Sequence, residues 1–145
     1  MKKILSFIVN EDHQLLLLRN NPEDLIHGGD YWYTVTGGFE FDEIDGSEVA
    51  KREIKEETNL DVKDIVYLNW IIKYMLRDIE CIEYVYISFV KKGKIKLNEE
   101  NIDYKWYNLD TFINEIKWYG DKNVLKNVLE KAINKEVYFI NERLE

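Results

Sequence analysis

Three glutamates, Glu53, Glu56 and Glu57, stand close enough along the chain to act together. On a helix of ~3.6 residues per turn their carboxylates fall within roughly 100° of arc. Like charges at such spacings repel each other by about 0.2–0.5 kcal/mol per pair on an open surface. A divalent cation turns that repulsion into attraction. Carboxylate oxygens, waters and a phosphate oxygen are the ligands that Mg²⁺ prefers. Just upstream, Gly37 and Gly38 allow main chain to approach the same place, and a carbonyl there could reach the ion or a bridging water. Helices rich in Lys and Glu are also common as plain solvated faces, so the triplet needs its context.

That context is a set of short elements. Ile4 to Val9 reads as a strand, Asn10 to His13 as a turn and Leu15 to Leu18 as a second strand, which makes an opening hairpin. Tyr31 to Thr36 is β-branched and aromatic and is expected to be a strand stopped by Gly37-Gly38. A helix is expected from Ser47, as N-cap, to about Thr58, with Asn59 in the left-handed position that ends it. Ala50 and Ile54 then form a stripe able to face a sheet. Val66 to Met75 and Ile82 to Val90 read as longer strands, Lys91 to Lys94 as a solvated turn, and Tyr104 to Tyr107 as a short strand. Thr111 to Ile116 and Asn123 to Ile133 read as helices. The order is that of a mixed α/β (α+β) domain and not of an alternating βαβ series.

The string from Gly37 to Leu60, GGFEFDEIDGSEVAKREIKEETNL, resembles the Nudix box, G-x5-E-x7-R-E-U-x-E-E-x-G-U with U aliphatic. Gly37 and Glu43 match G-x5-E, and Arg52, Glu53, Ile54, Glu56, Glu57 and Leu60 match the remainder. Two departures stand out. Eight residues separate Glu43 from Arg52, one more than the pattern, and Asn59 replaces a glycine. Asn also tolerates the left-handed conformation. Outside the box, Tyr31 to Gly37, Leu15 to Arg19, and Asn98 to Trp106 resemble segments of the dihydroneopterin triphosphate/dATP pyrophosphohydrolase subfamily. That subfamily has a longer connection, with Pro and Gly, where this chain has Tyr74 to Glu83.

The resemblance implies a Nudix fold, a mixed sheet between helices, and a Mg²⁺-dependent hydrolase of a nucleoside diphosphate linked to another group. The subfamily narrows this to a nucleoside or pterin triphosphate, split to monophosphate and pyrophosphate. Hydrolysis of ADP-ribose or of a dinucleoside polyphosphate is the alternative, and a binding module that cleaves nothing is a third. The full acidic set argues against the third. Carried over residue by residue, the metal falls to Glu53, Glu56 and Glu57, with Glu100 as a further ligand or the general base and Gly37 at the metal through its main chain. Glu56, Glu100 and Arg52 form the catalytic set, with Arg52 orienting a carboxylate through its planar fork. Arg19 and Thr36 are candidates for substrate contact. Trp32, Tyr33, Trp118 and Tyr119 could stack on a base or pterin, or simply pack in the core.

Composition limits what else is possible. The 145 residues suit one domain, 1–145. A formal net charge of −8 argues against gripping nucleic acid by charge. The only cysteine, Cys81, rules out an intramolecular disulfide and a multi-thiolate zinc site. With two histidines, His13 and His27, any metal ligands should be oxygens, as Mg²⁺ or Mn²⁺ prefers. The apolar run after Met1-Lys2-Lys3 is too short for a signal peptide, and no segment has the length of a membrane span. A cytoplasmic protein, monomeric or homodimeric, with a small-molecule substrate is the expectation.

Overall fold

The computed structural model describes residues 1–24 and 28–135; His27 lies outside them. Strands β1 (Lys2–Val9) and β2 (Leu15–Asn20) open the chain, followed by β3 (Trp32–Tyr33) and β4 (Val35–Gly38). Helix α1 (Gly46–Thr58) leads into the long hairpin β5 (Val62–Leu76) and β6 (Ile79–Val90). Strand β7 (Asn101–Tyr107) and helices α2 (Leu109–Glu115) and α3 (Lys122–Ile133) complete it.

The seven strands form one mixed sheet. β1 pairs in parallel with β6 along its whole length, from Lys2↔Ile82 to Val9↔Phe89. On its other side β1 meets β2 only at Val9↔Leu15. From there the two strands diverge, and residues 32–38 fill the fork. β3 pairs with β2 at Leu18↔Tyr33 and Arg19↔Trp32, whereas β4 pairs with β1 from Ser6↔Val35 to Lys3↔Gly38. The expected single strand from Tyr31 to Thr36 is therefore two, because it changes partner at Thr34. The Thr34 hydroxyl donates to the Ser6 carbonyl at 2.6 Å, which ties the break to β1. Gly37 and Gly38 belong to β4 rather than stopping it.

Alternation along the strands separates two faces. Leu5, Phe7, Leu15, Leu17, Val85 and Ile87 pack with Phe112, Ile116, Leu125 and Leu129 of the α2–α3 region. Ile8, Leu16, Leu18 and Val35 pack with Ile54 of α1 and Leu60 beyond it, and Ile4 packs with Val49 and Ala50. Four consecutive leucines, Leu15 to Leu18, are buried because both faces of β2 are covered. The result is the expected sandwich of helix, sheet and helices.

Helix α1 is capped two residues earlier than expected. The N-cap is Asp45, whose Oδ1 accepts from the Ser47 amide at 3.0 Å and the Ser47 hydroxyl at 2.8 Å. The charged Asp side chain takes the cap and Ser47 becomes its donor. Asn59 ends the helix as expected, at φ 66°, with its amide donating to the Lys55 carbonyl at 3.0 Å. The β5–β6 hairpin runs further than its apolar core suggests and turns through Arg77 and Asp78, at φ 48° and 70°. Two successive left-handed residues are what a two-residue hairpin turn of the right twist needs.

Candidate functional site

The site is built at the fork, where β4 passes beside α1. Glu57 lies on the sheet-facing side of the helix with Ala50 and Ile54, and is 6% exposed. Glu53 is slightly further round, its side chain 12% exposed, and the Glu56 side chain is half exposed at 50%. The triplet therefore spans a gradient from sheet to solvent, set by the helical period.

Arg52 joins the outer part of this gradient to the loop before the helix. Its Nε and Nη2 donate to the two oxygens of Glu43, at 3.0 and 2.7 Å, in a bidentate pair. Nη2 also donates to the Gly38 carbonyl at 3.0 Å. Nη1 donates to Glu53 at 2.9 Å and to Glu56 at 3.2 Å, and lies 3.5 Å from Glu40. The extra residue between Glu43 and Arg52 is absorbed in the loop, where the Glu40 amide donates to Glu43 at 2.8 Å, so Glu43 reaches Arg52 after all. The bond to Arg52 holds the Glu43 carboxyl below its ordinary value, and the Glu43 partner raises the guanidinium in turn.

Gly37 is needed for space. A Cβ there would overlap the Glu53 carboxyl group. Neither Gly37 nor Gly38 has positive φ, so close approach, not a left-handed backbone, is what excludes a side chain.

Further in, among the described residues, no cationic side chain is bonded to Glu57. Glu57 Oε1 accepts from Asn101 Nδ2 at 3.2 Å. Its Oε2 is buried and has no hydrogen-bond partner. Burial, then the charges of Glu100 and Glu53, push the Glu57 carboxyl well above its ordinary value. Glu53 is raised too, mainly by burial, with Arg52 opposing the shift.

Glu57 opens into a cavity of about 60 Å³ that it shares with Glu100, Asn101 and Asn20. Tyr31, Tyr33, Thr34 and Thr36 line its remainder. Glu100 arrives from the loop before β7, which folds back on the end of β2. The Asn21 amide donates to the Glu100 carbonyl at 2.9 Å, and Asn21 Nδ2 to the Glu99 carbonyl at 3.0 Å. Asn98 holds the side chain, donating to Glu100 Oε2 at 3.3 Å. Glu99 is exposed and does not line the cavity.

The structure thus brings Glu53, Glu56, Glu57, Glu100, Gly37, Arg52 and Thr36 to one region. Arg19 is not among the cavity residues: its Nε and Nη2 are taken by Asp30 at 2.7 and 2.6 Å. Tyr33 lines the cavity and stacks on Trp118, which packs against Phe7 and Trp70. Trp32 packs against the core beneath Lys105, and Tyr119 is exposed. Asn20, Tyr31, Thr34 and Asn101 were not legible as site residues. Asn101 adjoins Glu100 and Asn20 adjoins Arg19, but a lone Asn at a strand end carries no periodic signal.

A resident metal fits this donor set. The orphaned oxygen of Glu57 lacks the positive partner that its burial calls for. All the facing donors are oxygens, as Mg²⁺ or Mn²⁺ requires. Among the described residues no three acidic, histidine or cysteine side chains converge tightly enough to hold an ion by themselves.

Comparison with known proteins agrees with this architecture. The family model for the NUDIX domain matches residues 2–128. A MutT protein from Methanosarcina mazei Go1 is 24% identical, with a TM-score of 0.69 and 94% of each chain covered. The E. coli dihydroneopterin triphosphate pyrophosphohydrolase is 18% identical, with a TM-score of 0.69, covering 92% of this chain and 95% of its own. A C. elegans Ap4A hydrolase in a binary complex is 19% identical, with a TM-score of 0.69, covering 90% and 93%. No curated protein matches.

Proposed function

The chain belongs to the NUDIX domain family, and on that premise we propose that it is a Mg²⁺-dependent pyrophosphohydrolase of a nucleoside triphosphate or a similar pterin triphosphate. The products are the monophosphate and pyrophosphate. One observation carries the reading: a buried carboxylate, Glu57, has an unpartnered oxygen beside Glu100 in the cavity. A pure nucleotide binder gains nothing from two uncompensated carboxylates facing the phosphates of its ligand.

Glu53, Glu56, Glu57 and Glu100 would hold the ion, with the Gly37 main chain close to Glu53. The bound ion would supply charge neutralisation for the phosphates and acidify a water. Arg52 donates to one oxygen of Glu53 and to both of Glu56, so the carboxylates, and the free oxygen of Glu53, keep one orientation. Asn101 does the same for Glu57. Glu100, which lines the same cavity as the buried carboxylate and is less enclosed, would serve either as a further ligand or as the group that takes the proton of the attacking water. Thr36 lines the cavity on the β4 side, where a substrate phosphate would lie. Of the solved relatives, one is a dihydroneopterin triphosphate pyrophosphohydrolase and one an Ap4A hydrolase, so substrate length is the point to test.

A turnover screen decides it, run over the deoxynucleoside triphosphates, dihydroneopterin triphosphate, ADP-ribose and diadenosine polyphosphates, with and without Mg²⁺. Pyrophosphate release from a triphosphate, only with the metal, is the expected result. Preference for ADP-ribose or a dinucleoside polyphosphate would refute the substrate class while keeping the metal site. No turnover of any, with tight nucleotide binding, would refute the enzyme reading.

A further inference from the structure

A second concave surface shares no residue with the catalytic cavity. It lies where α1 ends and β5 begins, against the segment after β6, and encloses about 490 Å³. Lys55, Lys63, Lys91, Lys92 and Lys94 line it, with Asp61 the only acidic group. This is a dense positive patch on a chain with 28 acidic and 20 basic residues. The compensation is incomplete. Asp61 is taken by Lys55 at 3.1 Å, and Lys92 is paired with Asp12. Lys63, Lys91 and Lys94 are exposed and form no ion pair among the described residues.

Elsewhere on an acidic surface such lysines would find carboxylates. Here they are gathered around a groove that Leu60, Val62 and Gly93 also line, with Gly93 packed so closely on Leu60 that a Cβ there would sit 3.3 Å from Leu60 Cδ2. The negative end of α1 would repel an anion, but Lys55 Nζ donates to the Asn59 carbonyl at 3.3 Å and offsets it. No aromatic side chain lines the groove, so a base has nothing to stack on. The lysine ammonium is a flexible point charge suited to phosphate.

We propose that this groove binds a chain of phosphates, through Lys63, Lys91 and Lys94, at a site separate from the catalytic one. The ligand is inorganic oligophosphate or the phosphate tail of a nucleotide. The proposal does not depend on the reaction assigned above.

The test is calorimetric titration of the full chain with sodium tripolyphosphate, free of divalent metal and at low salt. Binding is expected, weakening as salt rises. The triple variant Lys63→Gln/Lys91→Gln/Lys94→Gln should lose at least tenfold in affinity. Lys73→Gln/Lys122→Gln/Lys131→Gln makes the same change in net charge elsewhere and should stay within about twofold of the parent. Glu57→Gln should bind as the parent does. A parallel titration with ATP, repeated in the triple lysine variant, separates the two sources: an equal affinity lost in that variant assigns the phosphate chain alone, and a tighter ATP affinity lost in that variant assigns the nucleotide tail. Absence of binding, equal loss in both triple variants, or loss in Glu57→Gln would overturn the proposal.

Discussion

Replacing Glu57 by Gln should make the metal-free protein more stable and the metal-loaded protein less stable than the parent. The side chain is 6% exposed, with one oxygen bonded to Asn101 at 3.2 Å and the other without a partner. A buried polar atom left unsatisfied costs about 1–3 kcal/mol. Gln keeps the shape, removes the charge and offers an N–H that can face Glu100. A gain of about 1–2 kcal/mol is therefore expected without metal, and for a chain of this size it raises Tm by about 3–6 °C. Mg²⁺ at a hundred times its dissociation constant stabilises the parent by about 2.7 kcal/mol, or about 8 °C, through mass action. The variant should gain little of this, so the two stability orders cross. Thermal unfolding in EDTA and in excess Mg²⁺ measures both arms, and turnover should fall by orders of magnitude. A variant that is destabilised without metal, or that responds to Mg²⁺ as the parent does, would refute the reasoning. So would near-normal turnover at saturating Mg²⁺.

The other predictions follow from the same geometry. Gly37→Ala forces the Glu53 carboxyl aside and should lower turnover at least tenfold, with a stability loss of about 1–3 kcal/mol in urea unfolding from overpacking. Arg52→Lys cannot reproduce the bidentate bond to Glu43 while reaching Glu53 and Glu56, so turnover should fall with only about 1 kcal/mol of stability lost at this solvent-screened site. Glu100→Gln should leave the rate low at every Mg²⁺ concentration if it takes the proton, or restore it with excess Mg²⁺ if it only binds the ion; Glu99→Gln should match the parent. The metal-free protein should gain stability as pH falls through the raised folded-state values toward the ordinary Glu value of 4.5. The sign follows because Glu57 and Glu53 have raised carboxyls in the folded state, so their contribution is full below the unfolded value and lost as pH rises through the folded one. Glu43 is lowered by Arg52, and its contribution disappears only as pH falls through its folded value, below 4.5. Tm against pH in EDTA checks this, and Glu57→Gln should flatten the upper part of the curve.

What was legible in the sequence is what has a period or a local cause. The box helix, its left-handed stop at Asn59 and the grouping of Glu53, Glu56 and Glu57 follow from a 3.6-residue repeat and one residue type. The opening hairpin and the later strands follow from apolar runs, although their ends moved. Partner changes leave no local mark. The break at Thr34 exists because β1 and β2 diverge, and the parallel pairing of β1 with β6 joins residues about eighty positions apart. The choice of Asp45 over Ser47 as cap depends on which side chain bends back, and both types suit the position. The Arg19–Asp30 pair spans eleven positions between strand and loop, so a basic strand end read as a phosphate contact proves to be occupied by a carboxylate.

The departure from the box pattern bears on where a cation would bind. The extra residue in the loop does not detach Glu43 from Arg52; it lengthens the turn that carries Glu40 and Glu43 back to the guanidinium. Arg52 therefore meets Glu40, Glu43, Glu53 and Glu56, and its single positive charge is spread over that outer group. Among the described residues, the side chains of Glu57 and Glu100 accept from neutral amide donors alone, Asn101 and Asn98. An amide dipole offsets a buried carboxylate less than a full charge does. The uncompensated negative potential is thus concentrated at the Glu57–Glu100 side of the cavity, next to Thr36 and the main chain of β4. On the proposed function, an ion held by Glu53, Glu56, Glu57 and Glu100 would gain most from that inner side, with Glu53 as the shared neighbour of both groups. The arginine would then fix the outer carboxylates in place while the inner ones supply the charge that no side chain offsets.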